Sequence, residues 1–177
     1  MGKSLSDRIQ ASLRPIPDYP KLGTTFLDST PVFRQGGLLK EIVDAMARPF
    51  EGAGVTHVVG IEPQGQVLGG AVAVTLGAGF LTARKPRKMP WQQVRQVYAL
   101  EYGGDSLEAR RDDFEATDRV IIVDDLLASG GTAEAAGQLV AALQGKLLGY
   151  SFMLEQVSER GRDALGDAPV HVVATIP

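Results

Sequence analysis

The sequence places two adjacent carboxylates, Asp124 and Asp125, between an apolar run and a loop of small residues. The apolar run, residues 120–123, is β-branched throughout and shows no alternation, which predicts a strand covered on both faces of a parallel sheet. The loop "ASGG" at residues 128–131 leads into residues 132–145, whose apolar positions keep helical spacing. The local pattern therefore predicts a strand, two acids, a small-residue turn and a helix, in that order.

The chemistry that suits these residues is binding of a phosphate that is attached to a sugar. Glycines in such a turn let backbone N–H groups converge on an anion, and the helix N-terminus adds partial positive charge. Carboxylates repel phosphate, but they accept hydrogen bonds from sugar hydroxyls or bind magnesium. An ordinary strand–helix turn with exposed acids is the alternative, and the two carboxylates directly before the loop favour the binding site.

A second group of candidate residues forms the basic loop "RKPRKMP", residues 84–90, in which four of the first five positions are cationic. The loop follows a predicted strand, residues 78–83, whose carboxyl end should face the same cleft as residues 128–131. Cations at that edge suit a second acidic group, such as a pyrophosphate. A solvated, basic surface loop is the alternative.

Composition restricts the classes of protein and partner. The chain has 177 residues, of which 44% are hydrophobic and 22% charged, as expected of one globular domain spanning residues 1–177. Its net charge of −3 provides no basic field for nucleic acid or membranes. Cysteine is absent, which excludes disulfides and thiolate metal sites and is compatible with a cytoplasmic location. We find neither a signal-peptide pattern nor an apolar run long enough to span a bilayer.

Apolar runs and helical patterns alternate along most of the chain. Strands are predicted at residues 57–62, 78–83, 120–123, 150–156 and 170–176. Helices are predicted at residues 4–14, 37–50, 64–76, 132–145 and 158–165. This alternation predicts an α/β fold with an open, mostly parallel sheet flanked by helices, whose ligands bind at the carboxyl ends of the strands.

Two segments lie outside the alternation. Residues 14–23 contain three prolines and are predicted to be irregular. Residues 86–114 form a long polar insertion in which residues 97–102, "VYALEY", predict a short strand. Because the insertion lies beside the predicted cleft, it is either a flexible lid or an ordinary surface hairpin.

The motif "VIIVDDLLASGGT", residues 120–132, resembles the phosphoribosyl-pyrophosphate motif of type I phosphoribosyltransferases. The resemblance covers nearly the whole chain and extends to the adenine phosphoribosyltransferases within that family. Residues 16–33, "IPDYPKLGTTFLDSTPVF", resemble their N-terminal segment, and residues 98–103, "YALEYG", resemble the strand of their flexible loop. The resemblance implies the type I fold with a small N-terminal hood, residues 1–36, and a flexible loop, residues 86–114.

The resemblance also implies a reaction. The phosphoribosyl group passes from phosphoribosyl pyrophosphate (PRPP) to adenine, giving AMP and pyrophosphate, as in purine salvage. Magnesium is the implied cofactor, held mainly by PRPP rather than by a direct protein ligand. A homodimer in the cytoplasm is implied, with no nucleic acid or membrane partner.

The family's roles can be assigned to matching positions on the sugar-phosphate side. Asp124 and Asp125 would hold the ribose hydroxyls. The 5′-phosphate would bind the loop residues Ala128, Ser129, Gly130, Gly131 and Thr132. Lys85, with Arg84 and Lys88 beside it, would face the pyrophosphate, and Lys88 is implied to come from the neighbouring subunit.

On the base side, the resemblance implies roles for three residues. Glu101 matches the glutamate that handles the proton at the purine N7. Phe26 would lie against the base, and the backbone at Leu27 would read its edge. Carboxylates beside the ribose suit an oxocarbenium-like transition state, and a mobile glutamate suits acid–base catalysis.

The chain departs from the family pattern at two places. The pyrophosphate loop, with candidate residues Glu62, Gln64 and Gly65, has glutamine where the family usually has arginine, which removes a charge. Leu27 also stands where the family usually has arginine. These departures leave a phosphoribosyltransferase for another purine as an alternative. A non-catalytic regulator that binds a phosphoribosyl ligand is a weaker one, because the chain has neither a basic face nor an extra domain.

Overall fold

The computed structural model describes residues 2–19, 21–86, 93–100, 103–110, 112 and 114–177, and this part of the chain contains nine strands and five α-helices. The strands are β1 (Arg14–Pro17), β2 (Thr25–Asp28), β3 (His57–Ile61), β4 (Gly79–Ala83), β5 (Gln93–Leu100), β6 (Gly103–Arg110), β7 (Arg119–Leu127), β8 (Lys146–Gln156) and β9 (Val170–Ile176). The helices are α1 (Leu5–Ser12), α2 (Thr30–Phe33), α3 (Gly36–Ala47), α4 (Gln64–Leu76) and α5 (Gly131–Ala142). Among the described helices, none combines the length and apolarity needed to cross a bilayer.

The centre of the fold is a five-stranded sheet in the order β4-β3-β7-β8-β9, and all neighbouring strands are parallel. Successive residues of a strand point to opposite faces, and here both faces are covered. Val58, Ile121 and Val123 pack on the face that carries α1, α3 and α4, whereas Val59 and Ile122 pack on the face that carries α5. This two-sided burial explains why residues 120–123 show no polar alternation, and it confirms the predicted fold class.

Strand β7 is longer than predicted and includes the carboxylate pair. The prediction ended the strand at residue 123, but pairing with β8 continues to Leu127 opposite Glu155. On its other side, β7 pairs with β3 only as far as Val123. Because β8 is eleven residues long, it supports β7 beyond the point at which β3 stops. Asp124 and Asp125 therefore lie on a strand that is paired on one side and open on the other.

The prediction that residues 14–23 are irregular is wrong for the first four of them. Residues Arg14–Pro17 form β1, which pairs antiparallel with β2, and Ile16 lies opposite Phe26. Proline is tolerated because a two-stranded ladder leaves one edge of each strand unpaired, so no backbone donor is needed there. An ion pair between Arg14 and Asp28 joins the two strands at the end of this ladder.

The predicted helix at residues 158–165 is also wrong. Two short 3-10 turns, Val157–Glu159 and Gly161–Leu165, take its place, and Arg160 between them has a left-handed φ of 54°. A residue in that conformation cannot continue a right-handed helix, so the segment breaks there. The helix predicted at residues 37–50 likewise ends as an α-helix at Ala47 and finishes as a 3-10 turn, Arg48–Phe50.

The described part of the insertion, residues 86–114, is an antiparallel hairpin of β5 and β6. Strand β5 begins earlier than predicted and ends at Leu100, and β6 was not predicted. The hairpin packs against α5, and Leu107 and Glu108 of β6 are fully buried. The two strands form a hairpin, but β6 is too deeply buried for an ordinary surface hairpin, and a lid function for the insertion stays a prediction.

Helix α4 lies so close to the sheet that glycine is required at its first turn. A Cβ atom on Gly65 would stand 2.6 Å from the carbonyl oxygen of Val123 and 2.7 Å from Oδ1 of Asp124. A Cβ on Gly60 of β3 would overlap the carbonyl oxygen of Gly65. By contrast, a Cβ on Gly70, in the middle of the same helix, would meet nothing within 4 Å.

We expect Gly65→Ala to lower the free energy of unfolding by about 1–3 kcal/mol, because the added methyl group forces α4 away from β7. Gly70→Ala is the matched control and should raise the free energy of unfolding by up to about 1 kcal/mol, because alanine favours the helix. Urea denaturation of both variants measures these changes. Equal effects of the two substitutions would contradict the close approach at Gly65.

Candidate active site

The carboxyl ends of β3, β4 and β7 bring three candidate loops together. The backbone N–H of Lys85, after β4, donates to Oε2 of Glu62, after β3, at 3.1 Å. Gly65 at the start of α4 packs directly on Asp124 of β7. The peptide bond between Glu62 and Pro63 is cis. The loops that sequence analysis placed at one edge of the sheet therefore contact each other in the fold.

A small cavity of about 90 Å³ forms where β7 leads into α5. Gly130 is the residue before the helix and has a φ of 85°, a left-handed conformation that glycine adopts without strain. The cavity is lined by Asp124, Leu126, Leu127, Ala128, Ser129, Gly130, Thr132 and Ala133. The first N–H groups of α5 lack intrahelical partners and suit an anion in this cavity.

Residues 161–162, which sequence analysis did not identify, support this cavity from outside. A Cβ on Gly161 would overlap the carbonyl oxygen of Ala128, and a Cβ on Gly130 would overlap the carbonyl oxygen of Gly161. Arg162 donates to both carboxylate oxygens of the buried Glu155, at 2.7 and 2.9 Å, and to the carbonyl oxygen of Val170 at 3.1 Å. This bidentate pair holds the 3-10 turn against the small cavity between β7 and α5, which we call the cradle. It also raises the pKa of Arg162.

A larger cavity, of about 300 Å³, lies beneath the N-terminal hairpin. The predicted residues Phe26 and Leu27 both line it, and Phe26 is 42% exposed and packs edge-on against Tyr19 with ring centroids 5.6 Å apart. The other lining residues are Thr25, Asp28, Ser29, Gln64, Asp125, Leu126, Leu154, Gln156 and Ile176. An aromatic face, apolar walls and a few polar groups suit a flat heterocyclic base.

The two carboxylates of β7 lie in an electrostatically unfavourable environment. Burial raises the pKa of Asp124 well above its ordinary value, and the neighbouring charge of Asp125 raises it further. Burial also raises the pKa of Asp125, although the Ser29 hydroxyl, which donates to Oδ2 at 2.7 Å, acts in the opposite direction. Two acids that resist ionisation are suited to a ligand that supplies hydrogen-bond donors.

Asp28, at the end of β2, is by contrast fully ionised at neutral pH. Hydrogen bonds from Thr30, including one from its backbone N–H at 2.9 Å, and from the Arg14 guanidinium lower the pKa of Asp28 to about 2. Asp28 is also buried, with 8% of its surface exposed. These contacts fix the backbone of the hairpin where it meets the larger cavity.

The remaining candidates are divided among three locations. Gln64 lines the larger cavity, whereas Arg84 pairs through its backbone with Glu108 of β6. Lys85 lies beside Glu62 with an exposed side chain. Lys88 and Glu101 lie outside the described residues, so their positions stay predictions.

Comparisons with known proteins are consistent across sequence and structure. A family model described as a phosphoribosyl transferase domain matches residues 32–164. The adenine phosphoribosyltransferase of Anaeromyxobacter dehalogenans (strain 2CP-C) is 46% identical over 171 residues, which cover 97% of this chain and 99% of that protein. The crystal structure of the Rhodothermus marinus adenine phosphoribosyltransferase superimposes with a TM-score of 0.92 at 40% identity, covering 97% of this chain and 98% of that one. The Saccharomyces cerevisiae enzyme, solved in complex with adenine and an imino-altritol bisphosphate, gives a TM-score of 0.89 at 36% identity over 96% of this chain and 98% of that one.

We expect Asp124→Asn to raise the melting temperature of the ligand-free protein at pH 7 while it impairs ligand binding. The raised pKa means that ionised Asp124 destabilises the fold, and asparagine keeps the oxygen that accepts from the backbone N–H of Asp125. Each kilocalorie per mole gained corresponds to about 2–4 °C for a domain of this size. The advantage should vanish as the pH falls below about 4, where the aspartate is protonated in the unfolded chain as well.

Asp118 provides a matched control, because its ionised form is favoured. Burial acts to raise the pKa of Asp118, but hydrogen bonds from the Glu115 N–H, Thr56 and His57 outweigh it and lower the pKa overall. Asp118→Asn should therefore lower the melting temperature at pH 7, and this loss should shrink on acidification. A lower melting temperature for both variants would contradict the unfavourable burial of Asp124.

Proposed function

The chain belongs to the phosphoribosyltransferase family, and we propose that it transfers the phosphoribosyl group of PRPP to adenine, giving AMP and pyrophosphate. The observation that carries this proposal is that the two cavities adjoin each other along β7. Leu126 lines both of them, so the cavity under the hairpin and the cradle at α5 open onto one continuous stretch of β7. A nucleoside 5′-phosphate has the same three parts in a row: a base, a ribose and a phosphate.

The chemistry of each cavity indicates how AMP would be oriented in the site. The smaller cavity offers the backbone donors of a helix N-terminus, which suit a 5′-phosphate. The larger one offers Phe26 and the apolar side chains Leu154 and Ile176, which suit the base. Asp124 and Asp125 stand between them, where the ribose hydroxyls would lie. AMP would therefore span the site from β2 to α5.

The carboxylates have two roles in the proposed mechanism. They accept hydrogen bonds from the ribose hydroxyls, and their negative charge favours the positive charge that develops on the ribose as the bond to pyrophosphate breaks. Hydroxyl donors replace the hydration that burial removed, so they lower the pKa values of Asp124 and Asp125. Binding of the ribose hydroxyls is thus expected to favour release of protons from the pair.

Departure of the pyrophosphate requires positive charge near its phosphate oxygens, on the side of the ribose away from the carboxylates. Lys85 is exposed at the carboxyl end of β4. We propose that Lys85 and Arg84 contact the pyrophosphate, together with Lys88 from a neighbouring subunit. Magnesium bound to PRPP would neutralise the phosphate oxygens and stabilise the leaving group. Asp124 and Asp125, whose oxygens suit a magnesium ion, are the described residues that would approach it through the ribose hydroxyls or through water.

Attack by adenine requires removal of a proton from the purine ring. We propose Glu101, which lies in the sequence between β5 and β6, for proton transfer at N7. The hairpin of β5 and β6 is joined to β4 through the bridge between Arg84 and Glu108, so it adjoins the basic loop. A movement of residues 86–114 over the bound substrates would exclude water from the oxocarbenium-like state, and this lid role is part of the proposal.

We propose a homodimer in the cytoplasm, acting without nucleic acid or membrane. Helix α4 exposes Val67 and Val74, of which 57% and 84% of the surface is accessible, and Phe80 of the neighbouring edge strand β4 is also exposed. Apolar side chains on adjacent elements suit burial against a second copy. PRPP carries several negative charges and does not cross membranes unaided, which supports the cytoplasmic location.

The decisive test is release of pyrophosphate from PRPP by the purified protein in the presence of magnesium. We expect release to depend on adenine, to stop on chelation of magnesium, and to be far slower with hypoxanthine or guanine. Asp125→Asn is the inactive control for contaminating enzymes. Preference for another purine would select the alternative base, and tight PRPP binding without turnover would select the regulator.

Gln64 offers a test of the pyrophosphate loop. Gln64→Arg should strengthen PRPP binding by about 1 kcal/mol through a charge-assisted hydrogen bond, and it should make binding more sensitive to salt. Gln138→Arg adds the same charge on the exposed face of α5 and should change neither quantity. Calorimetric titration at two ionic strengths measures both. If Gln64→Arg instead weakens adenine binding and leaves PRPP unchanged, the residue belongs to the base cavity alone.

A further inference from the structure

Ser29 connects the N-terminal hairpin to the carboxylate pair. It follows β2 directly, is 5% exposed, and donates its hydroxyl to Oδ2 of Asp125 at 2.7 Å across 96 positions of sequence. We propose that Ser29 is a positioning residue that holds Asp125 in the orientation needed for the ribose, so that the hairpin which lines the base cavity also sets the geometry of the sugar site. This inference rests on the proposed function, and it assigns to Ser29 a role in PRPP binding rather than in base recognition.

The first support is that the Ser29 hydroxyl does not make its usual local contact. Serine before a helix ordinarily accepts a hydrogen bond from the N–H two or three positions later. Ser29 precedes α2, but its side chain makes no such capping hydrogen bond, and the φ of −80° and ψ of −10° are helical rather than extended. The hydroxyl is turned away from the helix and toward Asp125 instead.

The second support is that Ser29 is held firmly at both ends. Asp28 before it is fixed by Arg14 and by the backbone N–H of Thr30. The carbonyl oxygen of Ser29 accepts from the N–H of Val32 at 2.9 Å. Because its backbone is fixed, the Ser29 hydroxyl cannot move with the Asp125 carboxylate. The hydrogen bond therefore forms in one orientation of the carboxylate and favours that orientation.

The third support comes from what Asp125 would do without this donor. A carboxylate has two oxygens, each with two lone pairs, so Asp125 can accept from Ser29 at Oδ2 and still accept from a ribose hydroxyl. The neighbouring Asp124 competes for Asp125, because hydrogen bonding within the pair contributes to the pKa values of both acids. Ser29 thus favours an ionised Asp125 over one that shares a proton with Asp124.

The charges around Asp125 are few in the described part of the chain. Asp124 lies on its own strand, and the ionised Asp28 lies on the hairpin. Helix α4 and strand β8 contribute the uncharged Gln64, Leu154 and Gln156 to the same cavity. Loss of the Ser29 donor would therefore raise the pKa of Asp125, since Arg14, the cation in the ladder of β1 and β2, is paired with Asp28.

The test compares Ser29→Ala, Ser29→Thr and Ser29→Val in PRPP binding and in turnover between pH 5 and 8. We expect Ser29→Ala and Ser29→Val to weaken PRPP binding about tenfold, as for a hydrogen bond to a charged group, with little change in the Michaelis constant for adenine. In both variants the pH below which PRPP binding fails should rise. Ser29→Thr keeps the hydroxyl and should restore both properties, although it has the same shape as Ser29→Val.

Three outcomes would overturn the inference. They are an unshifted pH profile in Ser29→Ala, equal behaviour of Ser29→Thr and Ser29→Val, and equal rises in the Michaelis constants for PRPP and adenine. A merely structural role would lower the melting temperature of Ser29→Ala without moving the pH profile. Wild-type protein that binds PRPP but does not turn over adenine would refute the proposed function, and the binding titrations would still decide the role of Ser29.

Discussion

The arrangement of the proposed site depends on two carboxylates that are held side by side where water is scarce. Asp124 and Asp125 stand side by side on β7, and burial and mutual repulsion raise the pKa of Asp124 in particular. Because burial disfavours their ionised forms, these acids lower the stability of the fold, and the surrounding structure must hold them in place. Strand β8 does so by continuing past β3, Gly65 does so by allowing α4 to lie on Asp124, and Ser29 does so by donating to Asp125. Gly65 meets its requirement by having no Cβ atom, and Ser29 meets its requirement by having a hydroxyl group.

The sequence revealed those parts of the fold in which local pattern and tertiary environment agree. Residues 120–123 are uniformly β-branched because both faces of the sheet are covered, and the spacing of α4 matched its observed bounds, Gln64–Leu76. The failures have the opposite origin. Strand β1 contains two prolines and exists only because β2 pairs with it, and the end of β7 depends on the length of β8. Pairing between strands that are distant in the sequence cannot be predicted from a short stretch of residues.

The site divides in the same way. The acids and the glycine-rich loop were identifiable because strand, turn and helix follow one another without interruption between residues 120 and 142. Ser29, Asp28 and the pair of Glu155 with Arg162 were missed, since each acts through a contact with a distant segment or with a backbone group. In the sequence, "LDST" resembles an ordinary helix start, and only the fold shows that its serine turns toward β7. Local motifs therefore predicted where a ligand would bind, whereas the residues that orient those motifs could be found only from the three-dimensional structure.

Because β1 and β2 form a separate ladder, they have a consequence for how the protein can evolve. The wall proposed to face the base belongs to a two-stranded sheet of its own, while the cavity proposed for the phosphate lies at the end of the central sheet. Mutations in the hairpin can therefore reshape base selectivity without disturbing the elements that hold the sugar phosphate. Ser29 limits this freedom, because it is the hairpin residue whose side chain donates a hydrogen bond to Asp125. Divergence of base preference would then proceed by replacement of side chains around a retained hydroxyl, and the hairpin would act as an exchangeable module on a fixed catalytic platform.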